Sequence, residues 1–352
     1  MTSRRQLFRA SALAVGAAAL AAPAVHAQSS RKLRMVTSWL KGSPGPGTTA
    51  DRIAARITAM TGGRLKVQVY GAGELTSAFG VMDAVGTGAA ELGHTDSFFC
   101  AGKAKAATLF TTMPFGLDPA GHNAWIAMGG GQALWDDLYA PLGVKPFLAG
   151  NSDFTMGGWF KQELNSLEDL KGLRLRVAGL GGQIYERLGA TPALLPPPQI
   201  FGALKSGAID GVEFLGPFSD RSLGFAKAAS HYYWPGFNKP NGSAEGLMTK
   251  ALFDQLDEAD AAIITAAFEL ENYYGQAEAS WFNAEALKAL AKDGIAPKPF
   301  PTDIMDAAKE AWRSALADWR AAHPEVEPIL QSYEQALVAQ SDWGSLSTKA
   351  YG

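Results

Sequence analysis

The sequence predicts an α/β protein arranged as two lobes with a long helix bridging them. Three observations predict it. Short alternating segments are separated by amphipathic helical ones, the strand–helix–strand order restarts in the second half, and a helical stripe after Asp257 is longer than one lobe needs. The 352 residues, 47% of them apolar, suffice for two cores of ordinary domain size.

Residues 33–39 (LRMVTSW) alternate as a strand and end in the glycine-proline loop 41–47. Thr48 or Thr49 is placed to cap a helix through Met60, with Ile53, Ile57 and Met60 on one face. Gly62-Gly63 stops that helix, and Leu65–Tyr70 reads as the next strand. A helix over residues 78–86 and a strand over 91–96 complete a parallel βαβ arrangement, followed by Phe98-Phe99. A second unit begins near Val144. Its expected strands are residues 144–149, 155–160, 173–177 and 209–215, with a helical turn at 166–170 and helices at 179–188 and 199–206. In the long helix, Ile263, Ala267, Leu270, Tyr274, Ala277, Trp281, Ala284 and Leu287 form a stripe read as one buried face. Residues 307–323 and 328–341 are further amphipathic helices.

The charge balance, 31 Lys+Arg against 34 Asp+Glu, lacks the basic excess that nucleic-acid binding needs. A single cysteine, Cys100, excludes an intramolecular disulfide and a multi-cysteine metal cluster. Residues 1–27 combine Arg4-Arg5, a short weakly apolar run and Val25-His26-Ala27, which reads as a twin-arginine export signal rather than a membrane span. An uncleaved N-terminal anchor is the alternative. Removing this segment takes away Arg4, Arg5 and Arg9 and no acid, leaving 28 basic and 34 acidic side chains. The expected location is the periplasm.

Catalytic signatures are missing. There is no phosphate loop, Thr76 stands where a dinucleotide fingerprint needs its third glycine, and His94, His122, His231 and His323 lack metal-ligand spacing. His94 is either a base at a strand end or a hydrogen-bonded structural histidine.

The informative residues lie in the second unit. Arg174 and Arg176 alternate with Leu173, Leu175 and Val177, and Gly179-Leu180-Gly181-Gly182 follows. An arginine at a strand's carboxyl end beside a glycine turn suits capture of a carboxylate, or pairs with a structural acid. Glu213, in an apolar strand before Phe214 and Gly216-Pro217, is either paired inside the fold or exposed in a cleft.

Gly172-Leu173-Arg174-Leu175-Arg176, together with the proline-preceded run from Gln199 to Glu213, resembles the solute-binding subunit of tripartite ATP-independent periplasmic (TRAP) transporters, DctP type. Val36-Thr37-Ser38-Trp39, Leu92-Gly93-His94-Thr95, Pro114-Phe115-Gly116-Leu117, Met156-Gly157-Gly158-Trp159-Phe160 and Tyr233-Trp234-Pro235-Gly236 resemble its 2-oxo-acid branch. The resemblance implies a type II-like two-lobed periplasmic binding protein with a hinge cleft, no catalysis, a small 2-oxo or 2-hydroxy monocarboxylate as ligand, and TRAP membrane permease subunits as partners. It implies that Arg176 clamps the ligand carboxylate and that Thr155 stands where a ligand-contacting glutamine is usual. In the branch a sodium or calcium ion often bridges ligand and protein. Its ligands fall here on Glu213, the Phe214 backbone carbonyl and the position of Lys239, where the branch carries an acid.

Lysine at that place reverses the charge. It would repel a monovalent cation about 4 Å away by about 4 kcal/mol near a surface. The expectation is therefore no bound metal and no cofactor, with the Lys239 ammonium held by Glu213 and pointing at a ligand oxygen. A Lys239 swung out to solvent is the alternative. Phe98, Phe214 and, from the other side, Trp39 are candidate apolar walls beside Phe99, and Asn151 is a donor to the ligand or a turn cap. Expected boundaries are residues 31–150 with about 241–256 for the first lobe, 151–240 with about 295–326 for the second, 257–293 for the bridging helix, and 327–352 for a C-terminal helix and tail. Some relatives dimerise by exchanging such a helix, so a homodimer is expected. The competing functions are a periplasmic enzyme using Glu213 or His94 as base, and a sensor that passes its ligand to a receptor.

Overall fold

A computed structural model describes residues 30–347 and Ala350. The export-signal segment lies outside the described residues, as does Tyr351 of the tail. The elements run β1 (Arg31–Thr37), α1 (Pro46–Met60), β2 (Leu65–Tyr70), α2 (Val81–Gly86), β3 (Leu92–Thr95), α3 (Pro119–Met128), α4 (Gly131–Tyr139) and β4 (Val144–Asn151). After these come β5 (Gly158–Phe160), β6 (Arg174–Arg176), α5 (Gly181–Arg187), β7 (Thr191–Ala193), α6 (Pro197–Ser206), β8 (Gly211–Val212), α7 (Pro217–Ser222) and β9 (His231–Trp234). The chain closes with β10 (Ser243–Thr249), α8 (Lys250–Phe253), α9 (Glu258–Lys292), β11 (Lys298–Pro299), α10 (Thr302–Ala322) and α11 (Glu327–Leu346).

Two sheets define the two lobes. The first has the order β2-β1-β3-β10-β4. Its β2-β1-β3 part is parallel, as the βαβ pattern predicts, and β10 runs antiparallel between β3 and β4. The strand at Val144 therefore completes the first sheet instead of opening a second unit. Its pairing partner β10 lies about 100 residues further on, beyond the reach of a local pattern. The second sheet has the order β11-β9-β5-β8-β6-β7.

Helix α1 starts at Pro46 rather than at a threonine cap. The hydroxyls of Thr48 and Thr49 instead donate to the Gly45 carbonyl from inside the first turn. Ile53 and Ile57 are buried and Met60 is half-exposed, so the apolar stripe ends one turn before the helix does.

The chain passes between lobes through residues 152–157 and returns through 235–242. These connectors are bonded to each other: Ser152 N donates to Gly242 O at 2.9 Å and Gly236 N to Thr155 O at 3.2 Å. A third crossing is α9, which packs on α1 and β4 of the first lobe and on α7 of the second. From there α10 lies against α5 of the second lobe, burying Ile304, Trp312 and Trp319, and α11 returns to the first lobe against α3 and α4. There the Tyr333 hydroxyl accepts from Leu117 N at 2.9 Å.

The face that α9 buries differs from the predicted stripe. Leu270, Tyr274, Trp281 and Leu287 are substantially exposed, while Ile264, Ala267, Phe268, Glu271, Asn272, Gly275, Ala279 and Leu290 are buried. Close approach explains it. A Cβ on Gly275 would lie 3.2 Å from Asn151 N and 3.4 Å from Asn151 O, so this turn of α9 rests directly on the β4 backbone. Buried Glu271 is compensated by Arg52, whose Nε donates at 2.7 Å, and by Arg56. Small and ion-paired residues mark the inner face, and an apolar count along the helix selects the outer one.

Two substitutions on α9 separate these faces. Gly275→Leu should lower unfolding free energy by about 1–3 kcal/mol through overpacking. Trp281→Ala, on the predicted but solvent-facing stripe, should stay within about 0.5 kcal/mol of the parent in urea unfolding.

Candidate functional site

The parallel pairing of β6 and β8 places Arg176 opposite Val212, and Glu213 N donates to Arg176 O at 2.9 Å. This register brings arginine and glutamate together at the carboxyl ends of their strands, where ligands of α/β sheets bind. Arg176 is 1% exposed. Its Nη1 donates to the Glu213 carbonyl at 2.6 Å and lies 3.6 Å from the Glu213 carboxylate, while Nε donates to Leu195 O at 3.3 Å. Among the described residues Nη2 meets no acceptor, so one edge of the guanidinium keeps donors to spare. Burial pulls its pKa below the ordinary arginine value, with Glu213 opposing. Arg174, two residues earlier, points outward and pairs with Asp210 at 2.6 Å.

Lys239 comes from the returning connector and is turned inward, 2% exposed. Its Nζ lies 2.7 Å from Glu213 Oε1 and donates to the Phe214 carbonyl. Its own backbone is fastened on both sides: N donates to Gly236 O at 3.0 Å, and O accepts the Thr155 hydroxyl. Thr155 is thus engaged with the lysine main chain. Asn151 is engaged at both ends of its amide, donating to Asn241 Oδ1 at 2.9 Å and accepting from Asp153 N at 2.8 Å.

Aromatic rings flank the charges. The Phe98 ring centroid lies 5.7 Å from Lys239 Nζ and that of Phe214 5.5 Å from the Arg176 guanidinium carbon. Trp39, from the first lobe, is buried in the same apolar cluster as Phe214 and Trp159 of the second. Phe99 packs between Trp39 and Phe98, with ring centroids 6.2 and 4.6 Å away.

His94 resolves as structural. Its Nδ1 accepts from Trp39 Nε1 at 2.8 Å, so Nε2 carries the proton and donates to Ala149 O at 2.8 Å. Burial lowers its pKa to about 4. A neutral imidazole with both nitrogens committed has no lone pair left to act as a base.

Several residues here escape sequence reading. Asp96, at the end of β3 in the first lobe, is buried near the same charges. Burial pushes its carboxyl up to about 7, against the pull of Lys239 and Arg176. The signal that points to it is an acid just past the carboxyl end of a parallel strand. Asn238 and the hydroxyls of Tyr185 and Thr108 are buried and find no hydrogen-bond partner among the described residues. Thr108 and Asn238 border the Gly179–Gly181 turn: a Cβ on Gly179, at φ 63°, would lie 3.4 Å from Thr108 Oγ1, and one on Gly181 3.3 Å from Asn238 Nδ2.

Buried cations at the junction of two hinged α/β lobes define a two-lobed binding protein. The family model of DctP, bacterial extracellular solute-binding protein family 7, matches residues 36–322, and the chain belongs to this family. It is 40% identical over 277 residues, covering 79% of this chain and 76% of the relative, to a monocarboxylate 2-oxoacid-binding periplasmic protein of Nostoc sp.. A TRAP transporter solute-binding protein from Bordetella bronchiseptica, a mixed-occupancy dimer with co-purified calcium and picolinate, matches with TM-score 0.89 and 32% identity over 92% of this chain and 96% of that one. One from Pseudoalteromonas atlantica with bound sodium and pyruvate matches with TM-score 0.88 and 31% identity over 92% and 98%. Among the described residues no helix is long and apolar enough to cross a membrane.

Both solved relatives hold a metal ion with their carboxylate ligand. In this chain the Glu213 carboxylate and the Phe214 carbonyl, the two oxygens the resemblance assigns to that ion, already converge on Lys239 Nζ. The donor set does not fit a resident metal.

The pH dependence of stability tests the His94 geometry. Between pH 6.5 and its folded pKa of about 4, the unfolded chain protonates His94 and the native one does not, so stability contributed by the neutral ring is lost as pH falls. The stability difference between the parent and His94→Gln should shrink by about 2 kcal/mol from pH 7 to pH 5 in urea titrations. A constant difference would mean that His94 titrates normally in the native state.

Proposed function

We propose that this chain is the extracytoplasmic receptor of a TRAP transporter for a small 2-oxo or 2-hydroxy monocarboxylate, delivered unchanged to membrane permease subunits. The observation that carries the reading is a charge imbalance in a closed site. Arg176 and Lys239 are both buried cations, and they share the single carboxylate of Glu213. Asp96, with its carboxyl near pKa 7, supplies only part of the missing negative charge at neutral pH. A bound monocarboxylate completes it.

Arg176 takes the carboxylate through its Nη2 donors, which no acceptor among the described residues engages. The Lys239 ammonium takes the neighbouring oxo or hydroxy oxygen, and Phe98 and Phe214 close over the carbon skeleton. The Thr108 and Asn238 groups offer further polar contacts at the glycine turn. With Asp96 in the first lobe and Arg176, Glu213 and Lys239 in or beside the second, a ligand that touches both sides selects the closed arrangement. A six-atom acid at about −1.5 kcal/mol per heavy atom reaches roughly −9 kcal/mol, enough for capture at micromolar concentration. Chemical conversion is not part of the reading, since His94 is committed and Glu213 is held between two cations.

A thermal-shift screen of small organic acids tests it. Pyruvate and related 2-oxo or 2-hydroxy monocarboxylates should raise the unfolding midpoint and be recovered intact. Arg176→Met should weaken the best of them about 30- to 1000-fold, the loss typical of breaking a buried charge pair. Equal affinity in that variant would overturn the assignment.

A further inference from the structure

We infer that Lys239 is a built-in cation that makes ligand binding independent of any metal ion, and that Thr155 is the residue that holds it in place. The inference deepens the reading above and rests on it for the ligand probe alone.

An ammonium group has three N–H donors and no acceptor. One donates to the Phe214 carbonyl, and the group also lies 2.7 Å from Glu213 Oε1 as an ion pair. Donors remain for an oxygen of the bound molecule. This is the coordination role of a bridging cation, two protein oxygens and one ligand oxygen about a positive centre, performed by a side chain. The group is 2% exposed, so neither water nor a mobile ion competes with it on equal terms.

The position of the ammonium depends on the main chain that carries it. Lys239 sits on the connector between lobes, where a shift of the backbone would withdraw Nζ from Glu213. Thr155, on the opposite connector, donates its hydroxyl to the Lys239 carbonyl, while Gly236 O accepts from Lys239 N. Gly236 lies close against Thr155 and leaves no room for a longer approach. Threonine where the resemblance expects glutamine, and lysine where it expects an acid, are therefore parts of one device. A short side chain secures the backbone, and the long one supplies the charge.

The test is calorimetric titration of the mature chain with pyruvate after dialysis against a chelator in sodium-free buffer, then with calcium or sodium restored. Parent affinity should change less than twofold across these conditions. Lys239→Glu should bind pyruvate at least tenfold more weakly without metal and recover with calcium. Thr155→Val should weaken pyruvate several-fold while leaving it metal-independent. Direct calcium titration in the presence of pyruvate gives a second readout: one equivalent should bind Lys239→Glu and none the parent.

A tenfold loss of parent affinity on removing cations, or stoichiometric calcium binding by the parent, would overturn the inference. So would Lys239→Glu that stays folded by circular dichroism yet takes up no calcium. If the parent binds no small organic acid under any ionic condition, the receptor reading for monocarboxylates fails instead, and calcium titration of parent and variant without pyruvate still decides for or against a metal site.

Discussion

The structure depends on one carboxylate shared by two buried cations. Glu213 brings its carboxylate and its main-chain carbonyl to Arg176 and extends the other carboxylate oxygen to Lys239. Neither cation is stable at this depth without it, since an unpaired buried charge costs several kcal/mol. The parallel register of β6 and β8 exists at this point to set arginine beside glutamate, and the connector through Lys239 passes close enough to complete the trio. On the proposed reading, the remaining positive character is what an anionic ligand answers.

That trio, together with Asp96, straddles the mechanical parts of the molecule. Arg176 and Glu213 ride on the second sheet, Lys239 on a connector, and Asp96 on the first sheet. The connectors are bonded to each other through main chain and through Asn151, Asn241 and Thr155. On the proposed reading, grip on the ligand and the angle between lobes are set by the same few hydrogen bonds. In a receptor whose task is to hold a solute and release it elsewhere, such coupling gives the partner a handle: turning one lobe disturbs the ammonium directly.

What was legible in the sequence follows from range. Alternation within LKVQVY and the glycine stop before it identify β2 because both signals lie within a few residues. The same holds for the βαβ order of the first lobe and for the strand carrying Arg174 and Arg176. The resemblance in that strand led to the Arg176, Glu213 and Lys239 positions. Legibility failed where a distant partner decides. β4 joins the first sheet because β10 returns to it, and the inner face of α9 is set by backbone contact at Gly275 and by Arg52 and Arg56, which hydropathy along the helix does not contain. Asp96 owes its raised pKa to burial that only the assembled lobes provide, and nothing in its immediate sequence encodes that burial.

The tie between Trp39 and His94 has a practical corollary. The indole is anchored in the first lobe by its N–H, yet its ring is buried among second-lobe residues with Phe214 and Trp159. Separating the lobes would strip that shelter and wet the chromophore. Trp39 therefore reports cleft opening as one component within the emission of the chain's nine tryptophans.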